Sequence, residues 1–465
     1  MEFININLDQ NSRVPLYIQL YNFIKKEIQS GRLESNSKLP SKRKLSKHLE
    51  ISQNTIESAY EQLITEGYII SKPKRGYYVS ELQGVINISQ INDKDDNKKV
   101  VKKKYKYEFF SSRVDLESFP YATWRKINKD IINQENKNLL QIGHSQGDRN
   151  LREAISNYLR FSRGVNSTAD NIVIGAGTEY LVQILINILG SDKSYGMEEP
   201  GYYKIRKILK THKIEANPIN IDGQGISIEN LNNSNVDIIH ITPSHQFPTG
   251  AIMPISRRMQ LLSWANEKSN RYIIEDDYDS EFRFEGKPIP ALQSLDTMEK
   301  VIYLGTFSKC FAPSIRIGYM VLPNELIKIY RKNFSFLTCT VSRIDQQSLF
   351  RFMEDGYFER HLNKMRNIYK KKRELLVSLI KKYLKGTEII GTNSGLHLLL
   401  KVNNGMTEEQ LIEKADKKEI KILGLSNSYS NMKINTSVVF LGYASLTNKE
   451  IEEAVILLKE AWELY

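Results

Sequence analysis

The sequence predicts a multidomain chain: a small N-terminal α+β domain, a polar tether, and a large C-terminal α/β domain that ends in a smaller lobe. Three observations carry the prediction. Residues 14–63 hold three stretches with apolar residues at helical spacing, and two short strand-like runs around a basic turn follow them. Residues 81–107 lose that periodicity and are rich in Asn, Asp and Lys. From residue 108 onward, short apolar runs of parallel-strand type alternate with helical runs. A length of 465 residues is ample for several cores.

In the first helix, Leu16, Ile18, Leu20, Phe23, Ile24 and Ile28 form the apolar face and Gly31 is the stop. Pro40 and Ser41 start a second helix, with Ser41 as cap and Leu45 and Leu49 as its stripe. Ser52 caps a third, whose buried face is Ile56, Ala59, Tyr60 and Leu63. The run GYIISKPKRGYYVS then reads as a two-strand ribbon with Lys74, Arg75 and Gly76 in its turn. Three helices and a basic-tipped hairpin describe a winged helix-turn-helix. Its third helix would meet the major groove of double-stranded DNA through Ser52, Gln53, Asn54 and Thr55. Ser41, Arg43 and Lys44 would face phosphates, and Lys74, Arg75 and Gly76 at the wing tip would approach the minor groove. The competing reading is a helical packing module with an exposed basic loop.

The charge agrees with an anionic partner without naming one. The chain carries a formal net charge of +12. Residues 1–80 hold 12 basic and 8 acidic side chains, for +4, and residues 81–107 add +3 in a segment read as a flexible tether. Two cysteines, Cys310 and Cys339, exclude a disulfide framework and a cysteine-built zinc finger. No stretch approaches the roughly 20 apolar residues of a membrane span. The N-terminus lacks a basic-then-apolar secretory pattern, so the expected compartment is the cytoplasm.

In the large region, residues 171–174, 236–241, 272–275 and 301–304 read as buried strands, and 178–189 as a helix. Five segments stand at the expected strand ends. Gly175-Ala176-Gly177-Thr178 joins a strand to a helix and suits a phosphate, although glycine there is more often a turn residue. Glu199-Pro200-Gly201-Tyr202-Tyr203 offers a Tyr to stack on a flat ring, against the plainer reading of a packed surface Tyr. In the loop TPSHQFPTG, residues 242–250, His245 reads as a hydrogen-bonded structural histidine. Around Glu275, Asp276, Asp277 and Asp279, four acids flank one strand end. A carboxylate there suits a protonated ring nitrogen; the competing metal site lacks accompanying His or Cys ligands, so none is expected. Finally, GTFSKCFAPSIR, residues 305–316, sets Lys309 among hydroxyl and apolar residues, where desolvation frees an amine for imine formation. Arg316 offers a forked phosphate contact.

Two resemblances follow from these residues. Residues 39–79 resemble the DNA-binding domain of the GntR family almost without gaps, with Gln53 where that family usually has Arg. The five segments, in their order, resemble the fold-type I pyridoxal-phosphate enzymes of the aspartate aminotransferase superfamily. That resemblance implies that Lys309 forms the internal aldimine with pyridoxal 5'-phosphate and that Asp276 pairs with the pyridine nitrogen. Tyr278 would bond the phenolic oxygen and Tyr202 stack on the ring. Gly177, Thr178, Thr306, Ser308 and Arg316 would form the phosphate cup. Phe247 stands where the enzymes usually carry an Asn.

Taken whole, the chain resembles the MocR subfamily of bacterial transcriptional regulators. The resemblance implies a GntR-type domain over residues 1–80, a flexible basic linker over 81–107, and an aminotransferase-like large domain over 108–345. A long connecting helix and small lobe would occupy 346–465. It also implies a head-to-tail, domain-swapped homodimer. The expected function is a regulator that senses pyridoxal phosphate, or a ligand at its site, and controls vitamin B6 or amino-acid metabolism genes. The alternative is an aminotransferase with an accessory DNA-binding domain. One departure bears on the effector. Relatives that sense amino acids usually hold the carboxylate with arginines, one of them two residues after Tyr202. This chain has Lys204 there, and no Arg after Arg373. Lys204 is the expected effector contact, and the expected ligand is pyridoxal phosphate itself or an amine-like molecule.

Overall fold

The computed structural model describes residues 14–81, 103–110, 113–286, 289–430 and 436–464, with 6, 8–10, 12 and 434. They form two compact units, Met1–Lys103 and Lys104–Tyr465. Residues 82–102, most of the expected tether, lie outside the described residues.

The small unit has the expected order. Helix α1 (Leu16–Gln29) buries Leu20, Ile24 and Ile28. Helix α2 (Lys42–Leu49) contributes Leu45, and α3 (Gln53–Thr65) contributes Ile56, Ala59, Tyr60 and Leu63 to the same core. Both caps form as the sequence dictates. The Ser41 hydroxyl accepts from the Lys44 N–H at 3.3 Å and the Ser52 hydroxyl from the Thr55 N–H at 3.2 Å. Glu50, left-handed at φ 54°, ends α2 and turns the chain toward α3. The Tyr60 hydroxyl ties α3 to the Pro40 carbonyl at 3.0 Å. Strands β1 (Ile69–Lys72) and β2 (Gly76–Val79) pair antiparallel, with Ile69 opposite Val79 and Lys72 opposite Gly76. Ile69 and Val79 are buried and anchor the hairpin, which leaves its basic turn at the far end.

The large unit opens on β3 (Tyr107–Glu108). The expected linker therefore ends earlier than read: Tyr107 is buried, and the Lys106 N–H bonds the Glu419 carbonyl at 2.9 Å. A lone aromatic in a basic run has no periodicity to reveal such docking. Helices α4 (Tyr121–Ile131) and α5 (Arg149–Arg163) precede β4 (Ile172–Gly175), α6 (Thr178–Leu189), β5 (Tyr195–Glu199) and α7 (Tyr203–Thr211). Next come β6 (Asn217–Asp222), β7 (Gly225–Ile226), α8 (Ile228–Asn232), β8 (Ile238–Ile241) and α9 (Ile255–Asn266). Strands β9 (Tyr272–Asp277), β10 (Val301–Thr306) and β11 (Gly318–Val321), then α10 (Asn324–Phe334), complete this part.

Eight of these strands form one sheet in the order β4-β11-β10-β9-β8-β5-β6-β7. β10, β9, β8, β5 and β6 are mutually parallel, while β11 and β7 run against their neighbours. Helices cover both faces. On β10, Ile302 and Leu304 join the core containing Leu181 and Leu185 of α6, and Tyr303 joins the opposite core. This explains why such strands read as unbroken apolar runs. The carboxyl ends of the parallel strands lie on one edge, where an open α/β sheet gathers its ligand-binding groups.

Helices α11 (Arg343–Glu354) and α12 (Tyr357–Tyr383) lead to the terminal part. At 27 residues, α12 spans about 40 Å. There β12 (Thr387–Ile390) and β13 (His397–Val402) precede α13 (Glu408–Lys417). β14 (Ile420–Lys421), β15 (Leu423–Gly424), β16 (Val438–Gly442) and α14 (Asn448–Ala461) follow. An antiparallel sheet runs β12-β13-β16-β15, and β14 pairs in parallel with β3. Thr407 and Thr447 cap α13 and α14 with full capping boxes. Among the described residues no helix is long and apolar enough to cross a membrane.

Leu304 is fully buried in the central strand β10. Leu304→Ala should lower unfolding free energy by about 2–5 kcal/mol. Urea denaturation followed by the large unit's tryptophan fluorescence measures this; a loss well below 1 kcal/mol would contradict the packing described.

Candidate functional site

The site begins with the alternation of β9. Neighbouring side chains leave a strand on opposite faces, so its acids cannot act together. Glu275 accepts from the backbone N–H groups of Leu292 and Gln293 at 2.8 and 2.9 Å. Asp277, on the same face, takes Arg163 Nε at 2.8 Å and the Tyr303 hydroxyl at 2.6 Å. Asp279, beyond the strand, pairs with His245 Nδ1 at 3.0 Å. Asp276 faces the other way, into a cavity of about 190 Å³ at the strand ends. Its Oδ2 lies 3.3 Å from His240 Nε2, and its buried Oδ1 has no hydrogen-bond partner. Glu275 and Asp277 thus face away from the cavity that Asp276 and the His245-paired Asp279 line, and no cluster of metal-capable side chains occurs among the described residues.

Lys309 reaches the same cavity from the turn after β10. Burial lowers its amine to about 8, with Asp279 pulling the other way. The turn is pinned by the Thr306 hydroxyl, which donates to Ser308 Oγ at 3.0 Å and accepts from the Ser308 N–H at 3.2 Å. Arg316 adopts a left-handed backbone at φ 51°, and its Nη2 donates to the Ala176 carbonyl at 3.3 Å. Gly177 is required beneath it. Its φ is +87°, and a Cβ would stand 2.5 Å from Arg316 Nη2. Thr178 starts α6, so the helix's unpaired N–H groups open beside Arg316.

Aromatic rings wall the cavity. Tyr202 and Phe247 meet edge to face at 5.3 Å, and Phe247 stacks on Phe440 at 5.7 Å. The Tyr278 hydroxyl donates to the His245 carbonyl at 3.0 Å and lies 3.0 Å from His245 Nδ1. His245 is thus a buried, hydrogen-bonded structural histidine, as its loop implies. Of the expected cofactor set, Thr178, Tyr202, Asp276, Tyr278, Thr306, Ser308, Lys309 and Arg316 all line the cavity, with Gly177 behind Arg316.

Three groups at or beside this cavity carry no sequence signal. His397 arrives on β13, where burial and the neighbouring His245 lower its imidazole to about 3. Glu198 at the end of β5 is raised to about 7 by burial, its Oε2 accepting from the Thr242 hydroxyl at 2.8 Å. Glu179 is an ordinary acid in a helix's first turn as sequence. In the structure its Oε1 pairs with Lys204 at 3.0 Å and its Oε2 with Arg316 at 2.8 Å. Despite a desolvation cost, the two cations hold its carboxyl down at about 2. Lys204, the expected effector contact, is therefore already ion-paired.

On the small unit, Ser41, Arg43, Lys44, Ser52, Gln53 and Asn54 are exposed at the starts of α2 and α3. Thr55 is half-buried, its hydroxyl 2.8 Å from that of Ser52. Lys74 and Arg75 are exposed at the hairpin tip, with Gly76 half-buried beside them.

Because burial lowers the Lys309 amine, its protonation favours the unfolded chain. The resulting penalty is fully present below about pH 8 and fades as pH rises toward the ordinary lysine value of 10.5. Competitive acetylation of the cofactor-free chain should give a Lys309 midpoint near 8. A midpoint at the ordinary lysine value would contradict the desolvated site.

Comparison with known proteins matches both units. Residues 16–79 match the family of bacterial regulatory proteins called the gntR family, and residues 112–456 match the class I and II aminotransferases. The HTH-type transcriptional regulator YdeL of Bacillus subtilis is 40% identical over 99% of both chains. The probable rhizopine catabolism regulatory protein MocR of Rhizobium meliloti is 30% identical over 98% of this chain and 95% of its own. The pyridoxine biosynthesis transcriptional regulator PdxR of Corynebacterium glutamicum is 26% identical over 95% and 94%. Among solved structures, a multiple substrate aminotransferase from Thermococcus profundus aligns with a TM-score of 0.70 at 25% identity, covering 78% of this chain and 93% of that one. A gntR-type winged helix followed by an aminotransferase fold, shared with such relatives from end to end, places this chain in the MocR subfamily of GntR-family transcriptional regulators.

Proposed function

We propose that this DNA-binding regulator holds pyridoxal 5'-phosphate in the large unit and changes its grip on DNA with the state of that site. One observation carries the reading. A buried carboxylate oxygen without a partner, Asp276 Oδ1, shares a cavity with the desolvated amine of Lys309 and an arginine seated over a glycine. An orphaned buried acceptor calls for a donor, and a protonated ring nitrogen is one. When bound, the cofactor supplies an aldehyde that condenses with amines and a ring that withdraws electrons.

The residues then divide the work. Burial lowers the Lys309 amine to about 8, which enlarges the share of the unprotonated form that attachment needs. Asp276, backed by His240, holds a proton on the ring nitrogen. Arg316, Ser308, Thr306 and the start of α6 at Thr178 receive the phosphate. Tyr202 and Phe247 would exclude water from the ring, and Tyr278 would bond the phenolic oxygen by redirecting the hydroxyl that here donates to the His245 carbonyl. On the small unit, Gln53 and Asn54 present amides to base edges, and Arg43, Lys44, Lys74 and Arg75 meet phosphates.

The sensed species is the cofactor itself or an amine-like ligand at its site. The regulated genes belong to vitamin B6 or amino-acid metabolism, by kinship with regulators such as PdxR. The working form is a head-to-tail homodimer in the cytoplasm. An aminotransferase with an accessory DNA-binding domain is favoured by the assembled Lys309, Asp276 and Arg316. Phe247 and the ion-paired Lys204 oppose it, since a turnover enzyme must hold amino acid and keto acid alike. Steady-state transamination with a keto-acid acceptor would support that alternative; slow half-transamination would not.

Two outcomes test the proposal. The full chain incubated with pyridoxal phosphate should show a visible absorbance band that borohydride removes and Lys309→Ala lacks. A band of equal strength in Lys309→Ala would place attachment elsewhere. Arg43→Ala and Lys74→Ala should each weaken DNA binding uniformly across sequences, and each should reduce the slope of log affinity against log salt by about 1. Unchanged slopes would remove those residues from the interface.

A further inference from the structure

The cavity's cations are few. Among the described residues lining it they are Lys204, Lys309 and Arg316. On the reading above, Arg316 receives the cofactor phosphate and Lys309 its aldehyde. Among the described lining residues, that leaves Lys204 to hold a ligand carboxylate, as a point charge rather than a fork. Yet Lys204 is committed. Its ammonium lies 3.0 Å from Glu179 Oε1 and 5.9 Å from the centre of the Tyr202 ring. Arg373, the last arginine of the chain, is not among the lining residues and bonds the Thr392 carbonyl at 2.7 Å and Glu285 at 3.0 Å. His397 is held neutral by burial and adds no charge.

Glu179 is shared between Lys204 and Arg316. A phosphate on Arg316 would set an anion beside this carboxylate and drive it further onto Lys204. Loading the cofactor therefore strengthens the pairing that closes Lys204. A ligand carboxylate near Lys204 would then face a fixed negative charge, and like charges brought together across an interface are costly. The remaining walls, Tyr202, Phe247 and His397, offer rings instead.

We propose that Glu179 is a specificity-determining residue: by occupying Lys204 it excludes carboxylate-bearing ligands and selects amines with an apolar or aromatic body and no carboxylate. The proposal rests on the cofactor reading of the cavity and concerns the ligand class.

The test uses the full chain loaded with pyridoxal phosphate and two matched probes, phenethylamine and phenylalanine, which differ by one carboxylate. Isothermal titration calorimetry gives both affinities. The wild-type chain should bind phenethylamine at least about tenfold more tightly. In Glu179→Gln, phenylalanine binding should strengthen until the gap closes. In the double variant Glu179→Gln, Lys204→Met that gain should disappear, because the freed cation has gone. Circular dichroism and the cofactor band certify each variant's fold and loading, and Lys204→Met alone, which leaves Glu179 unbalanced, should deepen the wild-type preference. Equal binding of the two probes by the wild-type chain, binding of neither, or a ratio that Glu179→Gln leaves unchanged would overturn the proposal. Absence of the cofactor band from the wild-type chain would instead remove the reading on which it rests, so the two failures are distinguishable.

Discussion

The large unit depends on one constraint: charged groups at the carboxyl edge of a sheet covered on both faces must each find a partner. Bare charges in such surroundings cost too much to persist, so the structure distributes them. Arg163 and Tyr303 take Asp277, backbone amides take Glu275, and His245 takes Asp279. The alternation of β9 turns the one remaining acid, Asp276, to the opposite side, where part of its capacity is unmet. The site is therefore the place at which the sheet's charge pairing is left incomplete. The apolar strands, the glycine under Arg316 and the helix start at Thr178 all serve to bring complementary groups to that place.

The small unit obeys a different economy. Among its described residues no charged side chain is buried; its core is the apolar stripes of three helices and the two ends of a hairpin. Its polar groups lie at helix starts and in a turn, where backbone capping fixes their positions. That division suits a protein in which the large unit holds a small ligand and the small unit reads a polyanion.

Much of this was legible in the sequence because it is local. Ser41 and Ser52 announce helix starts, and residues 178–189 mark α6 at both ends. The apolar runs locate β4, β8, β9 and β10 because strands buried on both faces have few other ways to be written. Lys309 and Arg316 were legible because a lysine among hydroxyl and apolar residues has few structural uses. What escaped was relational. Four acids around one strand end look alike until the partners on each face are known. Glu179 reads as a helix-start acid, and its role arises only where α6, α7 and the Arg316 turn meet. His397 comes from the terminal lobe, and no spacing links it to Lys309. The end of the tether was also misplaced, because the docking of Tyr107 against the strand at Ile420 is a long-range event.

On the proposed function, the state of the cavity around Lys309 alters the grip on DNA. The most direct measurement is operator affinity of the full chain, by fluorescence anisotropy at fixed salt, with and without pyridoxal phosphate, on a site selected from a random pool. Pyridoxal phosphate should shift the dissociation constant in the wild-type chain and leave it unshifted in Lys309→Ala. Equal affinity with and without cofactor in the wild-type chain, over a range in which its absorbance band is saturated, would contradict it.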